Sequence, residues 1–478
     1  MIGDSGMSHA LSKGVATAFA IAPFLVACGG GDSGGPAPIA SPQCSGSTCG
    51  TQGSPPSQPV NISLCPANAD IVKSTYLGGA GSGEVVSVNI DAVAMTYTLT
   101  WLDSPIPLKT GTVTPTRVGT TITGHVMHPP AGMLPTSEQT RCAFILTPGA
   151  GKASDGSTYS TAADFNPANP PMLLVGQGVA GGGIPGATIQ YDGLTIVPGL
   201  LQNIGQVPNR HFDFYPYLGF ASTTNDLSKL PGTYNALLYH LVPSSGYATR
   251  GTNSTETFDA NGACTSSGSS GCLTTGDPWK ASTKGGYFDS TKAPQILPQT
   301  SLPMLGATGK SATAHMVIGQ LNGATVPVIV RTGNVYLGTA PLHADAQVDD
   351  ESGIAVLGSA AALKSGGIDG GYAGADSNFK YTAALIRGTS GTFVNPTTQA
   401  AEDGFTLDYS QSTPGLLGMM TVPPSGAGYA AGSGLVIATG GLYAALVQGT
   451  VNGGVTSTSA NSGTSSAPYF GVGAQISK

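Results

Sequence analysis

Charged side chains are scarce in this chain of 478 residues, where they make up only 9%; soluble proteins usually contain about 25%. The net charge is −7, so the chain lacks the positive field with which proteins bind nucleic-acid phosphates. Hydrophobic residues nevertheless account for 40% of the chain, which is too many for a disordered polyelectrolyte. We therefore expect a folded protein with an apolar core and no nucleic-acid partner.

The apolar run near the N terminus, residues 15–28, is shorter than the roughly 20 residues that a membrane-spanning helix needs. It follows Lys13 and ends at Cys28, as is typical of a secretory signal peptide. Its last four residues, Leu-Val-Ala-Cys at 25–28, resemble the bacterial lipobox. The resemblance implies that residues 1–27 form a lipoprotein signal peptide and that Cys28 carries the lipid.

Lipidation at Cys28 predicts how the protein is attached to a membrane. Acyl chains on one cysteine anchor a protein to a membrane without a spanning segment. Residue 29 is Gly rather than the Asp that resembles an inner-membrane retention signal, so we expect an outer-membrane lipoprotein that faces the periplasm or the cell surface. Residues 28–59 are rich in Gly, Pro and Ser and predict a flexible tether.

Cysteines after the lipidation site agree with export. They are Cys44, Cys49, Cys65, Cys142, Cys264 and Cys272. An even number in an exported chain indicates disulfides, although several connectivities are possible. Proximity favours pairing Cys44 with Cys49 and Cys264 with Cys272, which leaves Cys65 for Cys142. The ligand spacings typical of zinc sites are missing.

Short runs rich in β-branched and aromatic residues recur beyond the tether, bounded by Gly, Pro, Asp or Ser. They include residues 85–90, 95–102, 120–126, 142–146, 234–242 and 325–331. Gly440-Gly441 is a strong hairpin signal, and residues 354–364 favour a helix. We predict an all-β protein with two β-rich units of sandwich, barrel or propeller type, at residues 60–200 and 205–478, behind the lipid-anchored tether.

Two glycine motifs resemble functional signatures but lack the required context. Residues 31–36 match the segment around the nucleophile of trypsin-like proteases, yet the mature chain before them is too short to supply a histidine and an aspartate. Residues 176–181 read G-x-G-x-x-G, but a strand-like run follows instead of the helix that a dinucleotide site requires. We expect neither a protease nor a nucleotide cofactor.

A dense acidic group follows His343 and comprises Asp345, Asp349, Asp350 and Glu351. Oxygen ligands at such spacing suit Ca²⁺, and paired carboxylates serve glycoside hydrolysis. No EF-hand pattern or hydrolase signature accompanies them. We expect a solvated loop without a metal, and these four carboxylates are the candidate ligands if a metal binds.

Aromatic residues are concentrated at one place in the chain. The group consists of Phe212, Phe214, Tyr215, Tyr217 and Phe220. Such rings stack on sugars or peptides when exposed, and they form cores and domain joints when buried. The sequence leaves both interpretations open, a ligand platform and a joint.

Several runs together resemble an uncharacterised family of exported lipoproteins of Gram-negative bacteria that carry a domain of unknown function. The matching runs are residues 97–107, 115–124, 141–144, 181–189 and 230–235. The resemblance implies a lipoprotein and brings no catalytic residue, cofactor or ligand with it.

These observations lead to two expectations about function. The first is a non-enzymatic protein, anchored in the outer membrane by its lipid, that binds a glycan, a small apolar molecule or an envelope protein without a cofactor. The alternative is an exported hydrolase of envelope or extracellular glycans or esters, with carboxylates from scattered positions such as Asp345 and Asp349.

Overall fold

The structure is a computed structural model that describes residues 63–134, 136–266, 272, 279–297, 312–343, 345–377, 381–394, 401–422, 431–447 and 468–477. The described residues form one compact unit. Their helices are short: α1 (Asn68–Ile71), α2 (Ser137–Arg141) and the 3₁₀ turns Leu227–Lys229 and Pro243–Ser245. None of these helices has the length and apolar character that a membrane crossing requires.

The first part of the chain forms an eight-stranded barrel with two additional strands. The strands are β1 (Thr75–Ala80), β2 (Val85–Asp91), β3 (Thr96–Asp103), β4 (Thr121–Met127), β5 (Ala143–Leu146), β6 (Ala150–Lys152), β7 (Thr158–Ser160), β8 (Met172–Val175), β9 (Val179–Tyr191) and β10 (Val207–Phe220). Their order is β3-β2-β1-β10-β9-β8-β5-β4, and pairing of β3 with β4 closes the ring, while β6 and β7 extend beyond β4.

A seven-stranded sheet, which we call the central sheet, follows the barrel. This part of the chain contains β11 (Gly232–Val242), β12 (Ala248–Phe258), β13 (Lys280–Ala281), β14 (Phe288–Ser290), β15 (Thr313–Leu321), β16 (Ala324–Thr332), β17 (Asn334–Tyr336), β18 (Gln347–Asp349) and β19 (Ser352–Ser359). The order in the sheet is β12-β11-β19-β16-β15-β14-β13, and β17 and β18 pair separately.

The C-terminal part forms a second barrel of eight strands. They are β20 (Gly370–Asp376), β21 (Tyr381–Arg387), β22 (Ser390–Val394), β23 (Ala401–Asp408), β24 (Leu416–Val422), β25 (Ser433–Thr439), β26 (Leu442–Val447) and β27 (Tyr469–Ser477). Each strand pairs with the next in the chain, and β27 closes the barrel against β20. The predicted hairpin at Gly440-Gly441 joins β25 to β26, with positive φ at both glycines.

The prediction of an all-β protein is confirmed, and of the three predicted architectures the barrel occurs, once on each side of the central sheet in chain order. The division at residues 60–200 and 205–478 stays a prediction. The strand that follows the expected joint, β10, pairs with β1 and β9 of the first barrel.

Residues 354–364, predicted as a helix, do not form one, and that prediction is wrong. The first part of this run is β19, and the rest is irregular. Ala and Leu favour helices in isolated segments, but β19 lies between β11 and β16, which pair with both of its edges. Its side chains are buried on both faces, so tertiary packing decides its conformation.

The central sheet is covered on both faces. Along β11, Leu237 and Tyr239 pack into a core that also contains residues of both barrels, whereas Ala236 and Leu238 pack into a second cluster on the opposite face. Successive side chains of a strand point to opposite faces, so the run of apolar residues in β11 indicates a strand buried on both sides.

The turn between β1 and β2 brings the first barrel against the central sheet. Gly83 has a φ of +83°, and a Cβ there would lie 2.1 Å from the carbonyl oxygen of Arg331. Thr332 in β16 donates a hydrogen bond to the carbonyl oxygen of Gly83. Both the backbone conformation and the close approach therefore require glycine at this position.

Two of the predicted disulfides are confirmed. Cys65 is bonded to Cys142, and Cys264 is bonded to Cys272. Cys28, Cys44 and Cys49 lie outside the described residues, so lipidation and the third pair stay predictions.

Candidate functional site

A cleft of about 590 Å³ lies where the first barrel meets the central sheet. The barrel contributes the segment after β3 and the adjoining ends of β9 and β10, and the sheet contributes the ends of β11, β15, β16 and β19. Much of the lining is apolar, including Ile106, Val113, Val207, Leu241 and Val335. Pockets for small molecules usually measure about 300–1,000 Å³ and combine apolar walls with a few polar groups, so this cleft is the candidate site.

A buried ion pair holds the segment that forms one wall of the cleft. Arg117 and Glu84 are fully buried, with Nε 3.3 Å from Oε1. The Arg117 Nη1 donates to the carbonyl oxygen of Pro185 at 3.1 Å, and the guanidinium lies over the ring of Trp101. Burial alone would lower the pKa of Arg117, but the negative charge of Glu84 keeps that pKa above its ordinary value. The wall is therefore fixed to the barrel interior.

Two serines connect this ion pair to the cleft surface. Ser82 donates to Glu84 Oε2 at 2.7 Å, and Ser104 donates to Glu84 Oε1. Both serines line the cleft. Because their hydroxyl protons are directed at a carboxylate, these two serines have a structural role.

Thr313, a residue of the cleft lining, forms with His315 and Asp289 what we call the cleft triplet. Thr313 Oγ1 lies 3.0 Å from His315 Nε2, and His315 Nδ1 lies 2.6 Å from Asp289 Oδ1. Thr313 and His315 point to the same face of β15, two residues apart, and Asp289 lies directly opposite His315 in the β14–β15 pairing. His315 is buried, Asp289 is half-exposed, and Thr313 lines the cleft.

The first barrel supplies a second carboxylate to this cluster. Asp103, at the end of β3, places Oδ2 3.6 Å from His315 Nδ1. Lys284 donates to Asp103 Oδ1, and Tyr287 donates to Oδ2. Asp103 therefore has its own donors, which leaves Asp289 as the close partner of the imidazole.

Electrostatics support an ionised Asp289. Burial raises its pKa, but hydrogen bonds from His315 and Ser282 and nearby positive charge outweigh that effect and lower it overall. Burial, together with the bond to Asp103, raises the pKa of Tyr287, so its hydroxyl stays protonated. The cluster thus presents a carboxylate to His315 Nδ1 and a hydroxyl to Nε2.

The same three residue types meet again on the outer face of the first barrel. Thr188, His211 and Asp213 form what we call the surface triplet: Thr188 Oγ1 is 2.9 Å from His211 Nδ1, and His211 Nε2 is 3.0 Å from Asp213 Oδ1. Here Thr188 donates to Asp164 Oδ1 at 2.7 Å, and the His211 side chain is 42% exposed. None of these residues lines the cleft.

The predicted acidic group does not converge on one point. Asp349 binds Arg331, with Oδ1 2.7 Å from Nη2; Asp350 accepts from the Ser244 backbone and hydroxyl. Glu351 accepts from His240 Nδ1 at 2.6 Å, which lowers its pKa against the effect of burial. These three carboxylates thus have separate partners.

The two remaining residues of that acidic stretch lie in the loop before β18. Asp345 accepts from the Thr339 backbone at 2.6 Å and from its hydroxyl. His343 Nδ1 bonds the carbonyl oxygen of Leu337 at 2.7 Å. Asp350 lines the cleft, whereas Asp345 and His343 do not.

The predicted aromatic group lies in β10, and all five rings are buried. Phe212 and Tyr215 line the cleft, so part of the group reaches the candidate site. Phe214 stacks on Tyr381 of the second barrel, with ring centroids 4.7 Å apart. The group therefore packs at the joint between structural units and also forms part of the cleft wall.

Two groups of side chains in the described residues have the spacing of metal ligands. In the first, Cys65 and Cys142 are joined in a disulfide, so neither offers a thiolate. The second consists of Asp103, Asp289 and His315, but Lys284 already supplies a positive charge to Asp103. Both groups are therefore satisfied by bonds within the chain.

A family model described as "Protein of unknown function (DUF2957)" matches residues 96–474, which include all the residues of the cleft triplet. The chain belongs to this family. No curated protein and no solved structure matches the chain. The matched range begins at β3, includes the central sheet and ends within β27, and its description assigns no activity to the cleft.

Sequence reasoning missed the cleft triplet. His315, Asp289 and Thr313 are not among the candidate residues of the sequence analysis. The available signal was a hydroxyl residue and a histidine two positions apart, which places both side chains on one face if the segment is a strand. That signal is weak by itself, because the aspartate and the cleft come from elsewhere in the chain.

Proposed function

We propose that the protein is a lipid-anchored lipoprotein of the outer membrane whose folded body binds a small, largely apolar molecule in the cleft. The single observation that carries the binding proposal is the cleft of about 590 Å³, walled by apolar residues of the barrel and the sheet. Its walls are fixed by the buried Arg117–Glu84 pair, and a preorganised site loses less entropy when a ligand binds.

A small apolar molecule fits the observations better than a glycan. Glycan sites usually offer exposed aromatic faces, whereas all five rings of the aromatic group are buried. An apolar molecule gains by leaving water for walls such as Ile106 and Val113. Polar residues of the lining, including Lys284, would orient a polar end of that molecule.

The binding proposal is tested by titrating the full chain with 1-anilinonaphthalene-8-sulfonate and following fluorescence. Val335 is partly exposed and lines the cleft, so Val335→Trp fills part of it. We expect at least about tenfold weaker binding of the dye, because the indole occupies space in which the dye would contact the apolar walls.

Val93→Trp is the matched control, because Val93 is 68% exposed and lies away from the cleft. It should bind the dye as the wild type does. Equal binding by the two tryptophan variants, or no saturable binding by the wild type, would overturn the cleft as the binding site.

The anchoring proposal has a separate test. The run at residues 25–28 and the Gly/Pro/Ser-rich segment after it support lipidation at Cys28. The intact mass of the membrane-extracted protein should show loss of residues 1–27 plus lipid, and Cys28→Ser should release the protein from the membrane fraction. Unchanged maturation and fractionation of this variant would contradict the anchor.

A further inference from the structure

The cleft triplet has the bonding pattern of a nucleophile, a general base and an orienting carboxylate. In such sites, one imidazole nitrogen accepts from a hydroxyl, and the other donates to a carboxylate. His315 does this with Nε2 toward Thr313 Oγ1 at 3.0 Å and Nδ1 toward Asp289 Oδ1 at 2.6 Å. Both distances lie within the range of about 2.6–3.2 Å required for proton transfer.

The surrounding charges fix the tautomer that this chemistry needs. Asp289 is an acceptor only, and the second carboxylate near Nδ1, on Asp103, is bonded to Lys284 and Tyr287. The proton of neutral His315 therefore lies on Nδ1. Nε2 then carries the lone pair and accepts from Thr313, which is the arrangement of a general base.

The bonding of Thr313 distinguishes it from the two serines of the cleft. Ser82 and Ser104 line the cleft but donate to Glu84. Thr313 lines the cleft and faces an imidazole instead. Asn334 also lines the cleft, and a side-chain amide is a group that can donate to a developing oxyanion.

We propose that the cleft hydrolyses a neutral carboxylic ester with apolar substituents, with Thr313 as nucleophile, His315 as general base and Asp289 as positioning residue. The inference rests on the proposed binding of an apolar molecule in the cleft. Apolar walls suit the hydrocarbon part of such an ester.

The reaction proceeds in two balanced steps. Thr313 Oγ1 attacks the ester carbonyl carbon as its proton passes to His315 Nε2; the ester C–O bond then breaks, and the same proton leaves with the alcohol. Water next attacks the acyl-threonine, gives a proton to His315 and releases the carboxylic acid, and that proton restores the Thr313 hydroxyl.

The test follows hydrolysis of p-nitrophenyl butyrate by the full chain. The wild type should exceed the buffer rate, Thr313→Val and His315→Gln should fall to it, and Thr313→Ser should retain hydrolysis because it keeps a hydroxyl. Thr188→Val, which removes the hydroxyl of the surface triplet, should hydrolyse the ester as the wild type does.

Asp289→Asn tests the positioning role. It should lower kcat more than it changes KM, because the imidazole loses the carboxylate bonded to Nδ1, whereas the apolar walls that bind the ester are unchanged. An unchanged kcat, or a rise in KM that accounts for the whole loss of kcat/KM, would contradict the positioning role.

Dye binding keeps the two proposals distinguishable. Thr313→Val should still bind 1-anilinonaphthalene-8-sulfonate, which shows that the variant is folded and that its cleft is intact. If the wild type binds the dye but hydrolyses no ester, or if Thr313→Val hydrolyses it as fast as the wild type, the esterase inference is overturned and the binding site remains. If the dye does not bind, the proposed function fails as well.

Discussion

The cleft triplet and the surface triplet contain the same three residue types in different surroundings. In the cleft triplet, the threonine bonds Nε2 of a buried histidine, and Nδ1 has a carboxylate partner. In the surface triplet, the threonine bonds Nδ1 of a half-exposed histidine and donates its proton to Asp164. A threonine, a histidine and an aspartate at hydrogen-bonding distance are therefore not sufficient for ester hydrolysis. The direction in which each proton is donated and access to a pocket also decide it.

The largest expected difference in stability concerns the carboxylate that lies beside each triplet, Asp103 at the cleft triplet and Asp164 at the surface triplet. Asp103→Ala should lower the free energy of unfolding by about 3 kcal/mol, because it leaves the buried Tyr287 hydroxyl and the Lys284 ammonium without their acceptor. Asp164→Ala should cost less than about 1 kcal/mol, since the partly exposed Thr188 hydroxyl can turn to water. Urea denaturation measures both, and equal losses would contradict the comparison.

The second largest expected difference in stability is between the two histidines. His315→Gln removes a buried imidazole with two partners and should cost about 1.5 kcal/mol. His211→Gln changes an exposed side chain and should stay within about 0.5 kcal/mol of the wild type. A loss of stability at His211 as large as that at His315 would show that exposure does not separate the triplets.

The pH dependence of stability sharpens the comparison at Asp289. Its folded pKa lies below the ordinary value of 3.8, so its ionisation stabilises the fold above that pH, and the contribution is lost as pH falls through the folded pKa. The melting temperature of the wild type should therefore approach that of Asp289→Asn as the pH falls below 3.8. A gap that stays constant down to pH 2 would contradict the lowered pKa.

The smallest expected effect concerns the threonine hydroxyls. Thr188→Val and Thr313→Val should each change the free energy of unfolding by less than about 1 kcal/mol, since each removes one hydrogen bond from a partly buried side chain. Their similar stability makes their difference in hydrolysis informative. A large loss for Thr313→Val would mean that its hydroxyl is mainly structural.

Local patterns in the sequence were sufficient for much of the fold. Runs rich in β-branched and aromatic residues predicted strands such as β2, β3 and β11, Gly440-Gly441 predicted the β25–β26 turn, and proximity predicted the Cys264–Cys272 disulfide. Strand β19 was missed because Ala and Leu favour helix locally, whereas burial between β11 and β16 imposes a strand. Closure of each barrel depends on pairings such as β3–β4 that no single segment encodes.

The candidate site could not be predicted because its parts are distant in sequence. Asp103 ends a strand of the first barrel, while Asp289 and His315 belong to the central sheet. The turn at Gly83 brings the first barrel against that sheet. By contrast, the acidic residues at 349–351 are adjacent in sequence, yet each binds a different partner. Adjacency in sequence therefore drew attention to the wrong carboxylates.

Covalent labelling tests most directly whether the cleft triplet is the reactive one. The full chain is treated with diisopropyl fluorophosphate, digested and mapped by mass spectrometry. We predict a phosphoryl adduct on Thr313 that is missing from His315→Gln, and no adduct on Thr188. A wild-type protein without an adduct on Thr313, or with one on Thr188, would contradict the account.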